Sequence, residues 1–158
     1  MRHEEWLYET IDMAVENVRK GGGPFAAIIV KDGEIIGRGT NRVHIENDPS
    51  AHAELLAIRE ACAFLGTVDL SDCTLYASGE PCPMCLGAAY WSTVGTIYYA
   101  CSKAEALDEA QFTNPLAAYF LDQSKAPEDR QVPFIQLKTA NALSPFHEWN
   151  HFHRNSDV

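Results

Sequence analysis

Residues 25–40 read FAAIIVKDGEIIGRGT, a stretch that predicts a β-hairpin. Its first six residues are almost entirely apolar, as expected for a short buried strand. Asp32-Gly33 is a favourable two-residue hairpin turn, so residues 34–40 should return antiparallel to the first strand. The sheet of this protein therefore begins with an antiparallel pair of strands.

Amphipathic segments on both sides of the hairpin predict helices. Between residues 4 and 20 the apolar side chains fall three and four positions apart, and Gly21-Gly22-Gly23-Pro24 ends that pattern. The next helix should run from about 51 to 65, with Ser50 as its N-cap and Gly66 as its C-terminal stop. The remaining predicted elements are strands at 73–78, 96–100 and 134–138 and helices at 82–91, 103–110, 115–121 and 146–153.

The order of these elements indicates an α/β protein. Helices alternate with strands after the opening hairpin, which favours a mixed five-stranded sheet with helices on both faces. The chain has 158 residues, of which 46% are hydrophobic and 22% charged. These values fit a single domain, residues 1–158, with a substantial core.

Charge and hydropathy argue against several kinds of partner. The formal net charge of −10 leaves little positive charge for a phosphate backbone or an anionic membrane surface. The sequence contains no apolar run near the roughly 18 residues that a membrane span needs. Its first five residues lack the basic-then-apolar order of a signal peptide. We therefore expect a cytoplasmic protein that binds neither nucleic acid nor membranes.

The cysteines are the first residues that indicate a chemical function. Five cysteines without an export signal do not predict a disulfide framework. Two of them, Cys82 and Cys85, are spaced as C-x-x-C and follow His52-Ala53-Glu54 in the chain. Three positions apart at the start of a predicted helix, both sulfurs should share one face, where unpaired N–H groups and the helix dipole favour thiolates. This spacing indicates metal or redox chemistry.

Two thiolates and the neutral imidazole of His52 form a three-ligand set suited to Zn²⁺. Three protein ligands leave the fourth tetrahedral position open for water, which is the pattern of a catalytic zinc site. Glu54 can face the same site as His52 only if that site lies off the helix N-terminus. There it would act as a general base that takes a proton from water and delivers it to a ring nitrogen of the substrate.

Two other interpretations of the cysteines stay open. In the first interpretation, the C-x-x-C pair is a redox pair. In the second, it belongs to a structural zinc site with Cys62, Cys73 or Cys101 as the fourth ligand. Cys73 and Cys101 lie in or beside predicted strands, where a cysteine is usually a small buried hydrophobe. A purely structural site has no use for a carboxylate beside the metal, so Glu54 favours catalysis.

Several other side chains are weaker candidates. Asn41, at the end of the second strand, is either a turn residue or a donor and acceptor for a heterocycle. Three aromatic rings are either core side chains or rings that stack on a base, namely Phe25, Trp91 and Phe112. Three histidines form either an exposed helix face or a second metal site, namely His147, His151 and His153.

At these residues the chain resembles the bacterial guanine deaminases of the cytidine deaminase superfamily, over almost its whole length. The arrangement H-x-E…P-C-x-x-C is the signature of zinc deaminases. Tyr90-Trp91 and Leu143-Ser144-Pro145-Phe146 are narrower markers of the guanine deaminase branch. The other segments that carry the resemblance are Gly22-Gly23-Pro24-Phe25, Asn47-Asp48-Pro49-Ser50-Ala51-His52-Ala53-Glu54 and Glu80-Pro81-Cys82-Pro83-Met84-Cys85-Leu86-Gly87-Ala88.

The resemblance implies a three-layer α/β/α cytidine deaminase-like fold and a defined active site. Zn²⁺ would be held by His52, Cys82 and Cys85, with Glu54 shuttling protons and Asn41 contacting the base. The further candidate substrate contacts are Phe25, Ala53, Trp91 and Asn114. The implied reaction is the hydrolytic deamination of a free nucleobase, guanine, to xanthine and ammonia. The resemblance also implies a homodimer in which residues 144–158 cross to the partner subunit and close its active site.

Two departures from the family pattern leave other substrates open. Phe112-Thr113-Asn114 stands where family members carry an acidic residue that holds the base, and the chain ends at Val158 rather than at an aromatic residue. An amide in place of a carboxylate suits a different aminated ring. The alternatives are cytosine, an aminotriazine, a pterin or guanosine as substrate, a tRNA adenosine deaminase, or a non-catalytic structural zinc module.

Overall fold

A computed structural model describes residues 2–110, 122–132 and 134–154, with only the backbone described at 153 and 154. The chain divides into two compact units, Met1–Phe112 and Thr113–Val158. The helix predicted at 115–121 lies outside the described residues. Within the parts of the chain that are described, no helix is both long and apolar enough to cross a bilayer.

The first unit contains all four strands of the sheet that the described residues form. Its strands and helices follow the predicted order closely, and the one addition is a short helix inside the polar stretch after the hairpin. The strands are β1 Ala26–Lys31, β2 Glu34–Thr40, β3 Thr74–Gly79 and β4 Thr96–Cys101. The helices are α1 His3–Arg19, α2 Val43–Glu46, α3 Ala53–Leu65, α4 Pro83–Trp91 and α5 Lys103–Ala110.

The sheet is mixed, in the order β2-β1-β3-β4. The predicted hairpin is confirmed, since β1 pairs antiparallel with β2, and β1 also pairs antiparallel with β3. β3 and β4 are parallel and are connected through α4. In this arrangement the start of β1 and the ends of β2, β3 and β4 share one edge of the sheet, since Ala26 pairs with Thr40 and Gly79 with Cys101.

The prediction of a fifth strand at 134–138 is wrong: the described structure has four strands in the sheet, and residues 134–139 carry no strand pairing. This segment alternates apolar and polar side chains, which is the pattern of a half-buried strand. Its apolar side chains are nevertheless exposed, with Ile135 at 78% and Leu137 at 82%. Alternation predicts a strand only where one face is buried and a neighbouring strand pairs with its backbone.

Helices cover both faces of the sheet, as predicted. On one face, Ile29, Leu75 and Ala77 pack with small residues of α3 and with Ala89 of α4. On the opposite face, Ile28, Val30 and Tyr76 pack against apolar side chains of α1. The three layers are therefore α1, the sheet, and the pair α3 and α4.

Two glycines of β2 allow α3 to lie directly against the sheet. A Cβ at Gly39 would come within 1.9 Å of the carbonyl oxygen of Ala53, and one at Gly37 within 2.3 Å of that of Ala57. Neither position therefore has room for a side chain. The contact fixes the first turn of α3 against the end of β2, next to His52 and Glu54.

The second unit is described by itself. Its described elements are a 3₁₀ turn, Pro127–Asp129, and a C-terminal helix, Ser144–Arg154. The helix predicted at 146–153 is confirmed and starts two residues earlier. Its aromatic side chains are mostly exposed, namely Phe146, Trp149 and Phe152.

Candidate active site

Two helices begin at the same place. His52 is the N-cap residue of α3 and Cys82 is that of α4, and both have extended backbone angles. The prediction of Ser50 as N-cap is wrong, because its hydroxyl and amide both donate to the Asp48 carboxylate, at 2.7 and 2.8 Å. These bonds close a turn before the helix, so α3 starts after His52 and leaves that side chain at the helix end.

The three predicted ligands converge. Nδ1 of His52 lies 3.5 Å from Sγ of Cys82 and 3.6 Å from Sγ of Cys85. The three ligand atoms all lie within 4.8 Å of one another. Among the described residues, this is the one cluster of three or more His, Cys, Asp or Glu side chains that could hold a metal ion.

These separations fit a tetrahedral zinc ion. With Zn–S bonds of about 2.3 Å and a Zn–N bond of about 2.0–2.1 Å, tetrahedral geometry separates nitrogen from each sulfur by about 3.5 Å. The two observed distances, 3.5 and 3.6 Å, agree with that value. The donor set of one imidazole and two sulfurs also matches the preference of zinc. Three ligands leave one tetrahedral corner for water or substrate.

Glu54 lies beside this cluster in the first turn of α3. It is 6% exposed, and its Oε2 accepts a hydrogen bond from the Cys85 thiol at 3.5 Å. Burial raises the pKa of this carboxyl above its ordinary value. A buried carboxylate of raised basicity next to three candidate metal ligands is well placed to accept a proton.

The two cysteine thiols differ strongly in acidity. A hydrogen bond from Cys85 lowers the pKa of the Cys82 thiol to about 4. The same bond, together with burial, raises the pKa of Cys85. A hydrogen bond to Cys82 raises the pKa of His52. The cluster thus holds its second thiolate only at a cost, and a divalent cation between the two sulfurs would remove that cost.

The other cysteines do not join this cluster. Cys73 is buried at 2% exposure just before β3, whereas Cys82 follows that strand. Six strand residues separate their two ends by about 20 Å. Burial raises the pKa of Cys73 to about 11, as expected for the small buried hydrophobe that the sequence predicts. Cys62 and Cys101 are partly buried, outside the cluster.

Asn41, Phe25 and Ala53 lie close to this end of the sheet. The amide of Asn41 donates to the carbonyl of Phe25 at 2.9 Å, and the amide of Arg42 donates to the carbonyl of Ala51 at 3.0 Å. These bonds join the end of β2 to the start of β1 and to the segment before α3. Ala53 is fully buried, and the partly buried Phe25 packs against the core.

Trp91 and Asn114 are placed differently. Trp91 ends α4 and is 89% exposed, so it is not a core side chain. Nine residues of helix separate it from Cys82 by about 13 Å along the axis. Its contact with substrate stays a prediction. Asn114 lies outside the described residues, as does Phe112.

One buried polar residue near this edge of the sheet was not identified from the sequence. Asn17 of α1 is 6% exposed, and its Nδ2 donates to the carbonyls of Gly23 and Asn41, each at 2.8 Å. Sequence offers one weak signal for it. Asparagine is a poor helix former, and here it lies in the last turn of a helix that three glycines follow.

Comparisons with known proteins agree with this geometry. Residues 1–101 match the family described as cytidine and deoxycytidylate deaminase zinc-binding region. The guanine deaminase of Bacillus subtilis is 48% identical over 153 residues, 96% of each chain. Its X-ray structure superposes with a TM-score of 0.88 at 47% identity, over 96% of this chain and 95% of that one.

Two further proteins are similar over less of the chain. The structure of NE0047 in complex with 2,6-diaminopurine has a TM-score of 0.66 and is 36% identical, over 70% of this chain and 62% of that one. The tRNA-specific adenosine deaminase of Aquifex aeolicus is 43% identical over 100 residues, which are 63% of this chain and 66% of that protein.

Metal analysis tests the ligand set. We expect dialysed protein to carry about one zinc per chain, and Cys85→Ala to retain less than about a tenth of it, because two ligands bind zinc weakly. Cys73→Ala is the matched control: it removes a buried cysteine and should keep the metal while losing stability. Elemental analysis of each variant gives the stoichiometry. Full zinc content in Cys85→Ala would contradict the assignment.

Proposed function

The chain belongs to the cytidine and deoxycytidylate deaminase family, and from this we propose that it catalyses the hydrolytic deamination of guanine to xanthine and ammonia. The observation that carries the proposal is the convergence of His52, Cys82 and Cys85 beside a buried Glu54. Similarity to a guanine deaminase over 96% of the chain supports guanine as the base.

His52, Cys82 and Cys85 would hold the zinc ion through Nδ1 and the two Sγ atoms. A zinc ion bound there would lower the pKa of water, so that it loses a proton more easily and becomes a stronger nucleophile at neutral pH. The helix N-termini that carry these side chains favour thiolate over thiol. The protein's part is to keep three donors at fixed separations while the fourth corner stays open.

Glu54 would move the protons of the reaction. Its carboxylate accepts a proton from the attacking water as the oxygen bonds to the carbon that bears the amino group. It then delivers that proton to the adjacent ring nitrogen of the base. The second proton of the water goes to the amino group, the carbon–nitrogen bond breaks, and ammonia leaves. The atoms of water and guanine are thus all accounted for in xanthine and ammonia.

Asn41 would hold the base opposite Glu54. Its Oδ1 accepts a hydrogen bond from the backbone amide of Val43 at 3.3 Å. This bond sets the orientation of the carboxamide. The Nδ2 hydrogens can then donate to a ring nitrogen or carbonyl of the base. Phe25, Ala53, Trp91 and Asn114 remain the other proposed substrate contacts.

Other aminated rings and a tRNA substrate are the competing functions. The tRNA-specific adenosine deaminase matches 63% of the chain, whereas the guanine deaminase matches 96%. The net charge of −10 also disfavours a polyanionic substrate. Both observations support a small free base.

A substrate screen tests this assignment. Ammonia release should be fastest with guanine, and xanthine should appear in equal amount. Cytosine, guanosine, an aminotriazine and a pterin form the comparison set, because each carries an amino group on a ring carbon. Turnover of one of these without turnover of guanine would overturn the substrate assignment. Salt-dependent binding of tRNA would favour the tRNA adenosine deaminase instead.

Glu54→Gln tests the proton transfer. The amide fills the same space but accepts no proton, so kcat should fall about 10²–10⁴-fold while zinc content stays unchanged. Glu60→Gln on the same helix is the matched control, since Glu60 is exposed and accepts a hydrogen bond from the Arg38 amide. Unaltered activity in Glu54→Gln with zinc bound would contradict the mechanism.

We further propose a homodimer in which residues 144–158 close the partner's active site. The C-terminal helix exposes Phe146 at 64%, Trp149 at 62% and Phe152 at 68%, and α4 exposes Tyr90 at 77% and Trp91 at 89%. Aromatic side chains exposed in such number suit a surface that a second copy covers.

Complementation tests the exchange. The Glu54→Gln variant lacks the catalytic carboxylate but keeps the C-terminal segment. The Trp149→Ala variant keeps Glu54 but lacks an aromatic side chain of that segment. Each variant alone should therefore be nearly inactive. If the segments are exchanged, the two variants expressed together should regain activity, because the first supplies its segment to the second. A mixture that stays inactive, although light scattering shows dimers, would mean that the segment acts within its own subunit.

A further inference from the structure

The side chain of Asn17 joins three parts of the chain at the edge of the sheet where the base would lie. It sits in the last turn of α1 and is 6% exposed. Its Nδ2 donates one hydrogen bond to the carbonyl of Gly23 and one to the carbonyl of Asn41, both at 2.8 Å. Both partners only accept, so both amide hydrogens are used.

Backbone hydrogen bonds extend this junction. The amide of Gly23 donates to the carbonyl of Asn41 at 3.2 Å, and the amide of Asn41 donates to the carbonyl of Phe25 at 2.9 Å. The amide of Gly22 donates back to the carbonyl of Asn17 at 2.8 Å. The glycine loop and the end of β2 are thereby attached to the same turn of α1.

The glycine loop packs tightly against both asparagine side chains. A Cβ at Gly22 would lie 2.3 Å from Nδ2 of Asn17. A Cβ at Gly23 would lie 2.7 Å from Cγ and from Oδ1 of Asn41. The backbone at Gly23 thus forms a wall against the Asn41 carboxamide, and the Val43 amide holds that carboxamide from the other side.

We propose that Asn17 is a positioning residue for Asn41: its buried carboxamide sets the backbone at Asn41 and at the Gly23 wall, and so sets the affinity for the base. The inference rests on the proposed function, in which Asn41 contacts the base. The hydrogen bonds of the Asn17 carboxamide go to Gly23 and Asn41 and not to a candidate metal ligand, so its effect is exerted through Asn41.

Apart from the bond between the Arg42 amide and the Ala51 carbonyl, the candidate metal site is held by contacts of its own. α3 lies against β2 through Gly37 and Gly39, and Cys85 is buried within α4. A change at Asn17 should therefore alter base binding and leave the zinc ligands in place. This separation distinguishes positioning of Asn41 from a general loss of structure.

Asn17→Asp is the direct test. It keeps the shape but places a carboxylate against two carbonyl oxygens, so Asn41 and the loop must move apart from it. We expect kcat/KM for guanine to fall roughly 10–100-fold, mostly through a higher KM, with zinc content unchanged. Thr10→Val is the matched control: Thr10 is fully buried on the same helix and donates only to the Leu7 carbonyl, so KM should stay as in the wild type.

A double-mutant cycle separates positioning from a structural role. In an Asn41→Ala background, Asn17 has no base contact left to position, so adding Asn17→Asp should lower kcat/KM at most about twofold further. A full additional loss, equal to that in the wild-type background, would overturn the proposal. An unchanged KM in the single variant would do the same.

Gly22→Ala reaches the same contact from the other side and serves if Asn17→Asp does not fold. Its Cβ displaces the Asn17 carboxamide, so KM should rise in the same way. Residue-resolved hydrogen exchange in either variant should be faster at the amides of Asn41 and Val43, whereas unchanged exchange there would refute the inference. If the wild type fails to deaminate guanine, the proposed substrate is wrong, and the exchange rates still decide the role of Asn17.

Discussion

The site depends on two helices that start next to each other at one edge of the sheet. The N-cap residues of α3 and α4 are His52 and Cys82, so the imidazole and the first sulfur meet where the first amides of both helices have no partner within the helix. The partial positive charge of helix N-termini stabilises thiolates. In the first turn of each helix lie Glu54 and Cys85, both buried, with Oε2 of the one 3.5 Å from Sγ of the other. Two thiolates and a carboxylate at this spacing would be stable together only beside a cation.

The topology of the sheet brings these helices together. Because β3 and β4 are parallel, their connection crosses the sheet and places the start of α4 just beyond the end of β3. The end of β2 lies at the same edge, since β1 is antiparallel to both neighbours. The candidate metal ligands and Asn41 thus lie at the same edge of the sheet, which is the usual location of a ligand site in an α/β fold.

Much of this arrangement could be predicted from sequence. The Asp32-Gly33 turn fixes the hairpin, and amphipathic spacing predicts α1, because local pattern and tertiary burial agree in these elements. The grouping of His52, Cys82 and Cys85 could be predicted as well, since C-x-x-C places both sulfurs within one helical turn and H-x-E…P-C-x-x-C is the zinc deaminase signature. Their role as metal ligands stays a prediction. Sequence spacing gives no distances between the two motifs. The structure adds them: Nδ1 of His52 lies 3.5–3.6 Å from the two cysteine sulfurs.

The predictions that were wrong, and the residue that was not predicted, have physical causes of the same kind. Ser50 is a good N-cap residue by type, but the Asp48 carboxylate takes its hydrogen bonds. Residues 134–138 alternate like a strand, yet no neighbouring strand pairs with them in the described structure. Asn17 works through bonds to Gly23 and to Asn41, which is 24 residues away in the chain, and periodicity does not reveal such long-range contacts. In each case a tertiary partner decides the outcome.

X-ray absorption at the zinc edge of the purified protein tests the central claim most directly. The account predicts two sulfur ligands at about 2.3 Å and two lighter ligands at about 2.0–2.1 Å, one imidazole nitrogen and one solvent oxygen. A shell of three or four sulfurs would contradict it, because a cysteine would then fill the corner that the reaction needs. Absence of zinc from protein prepared without chelator would contradict it equally.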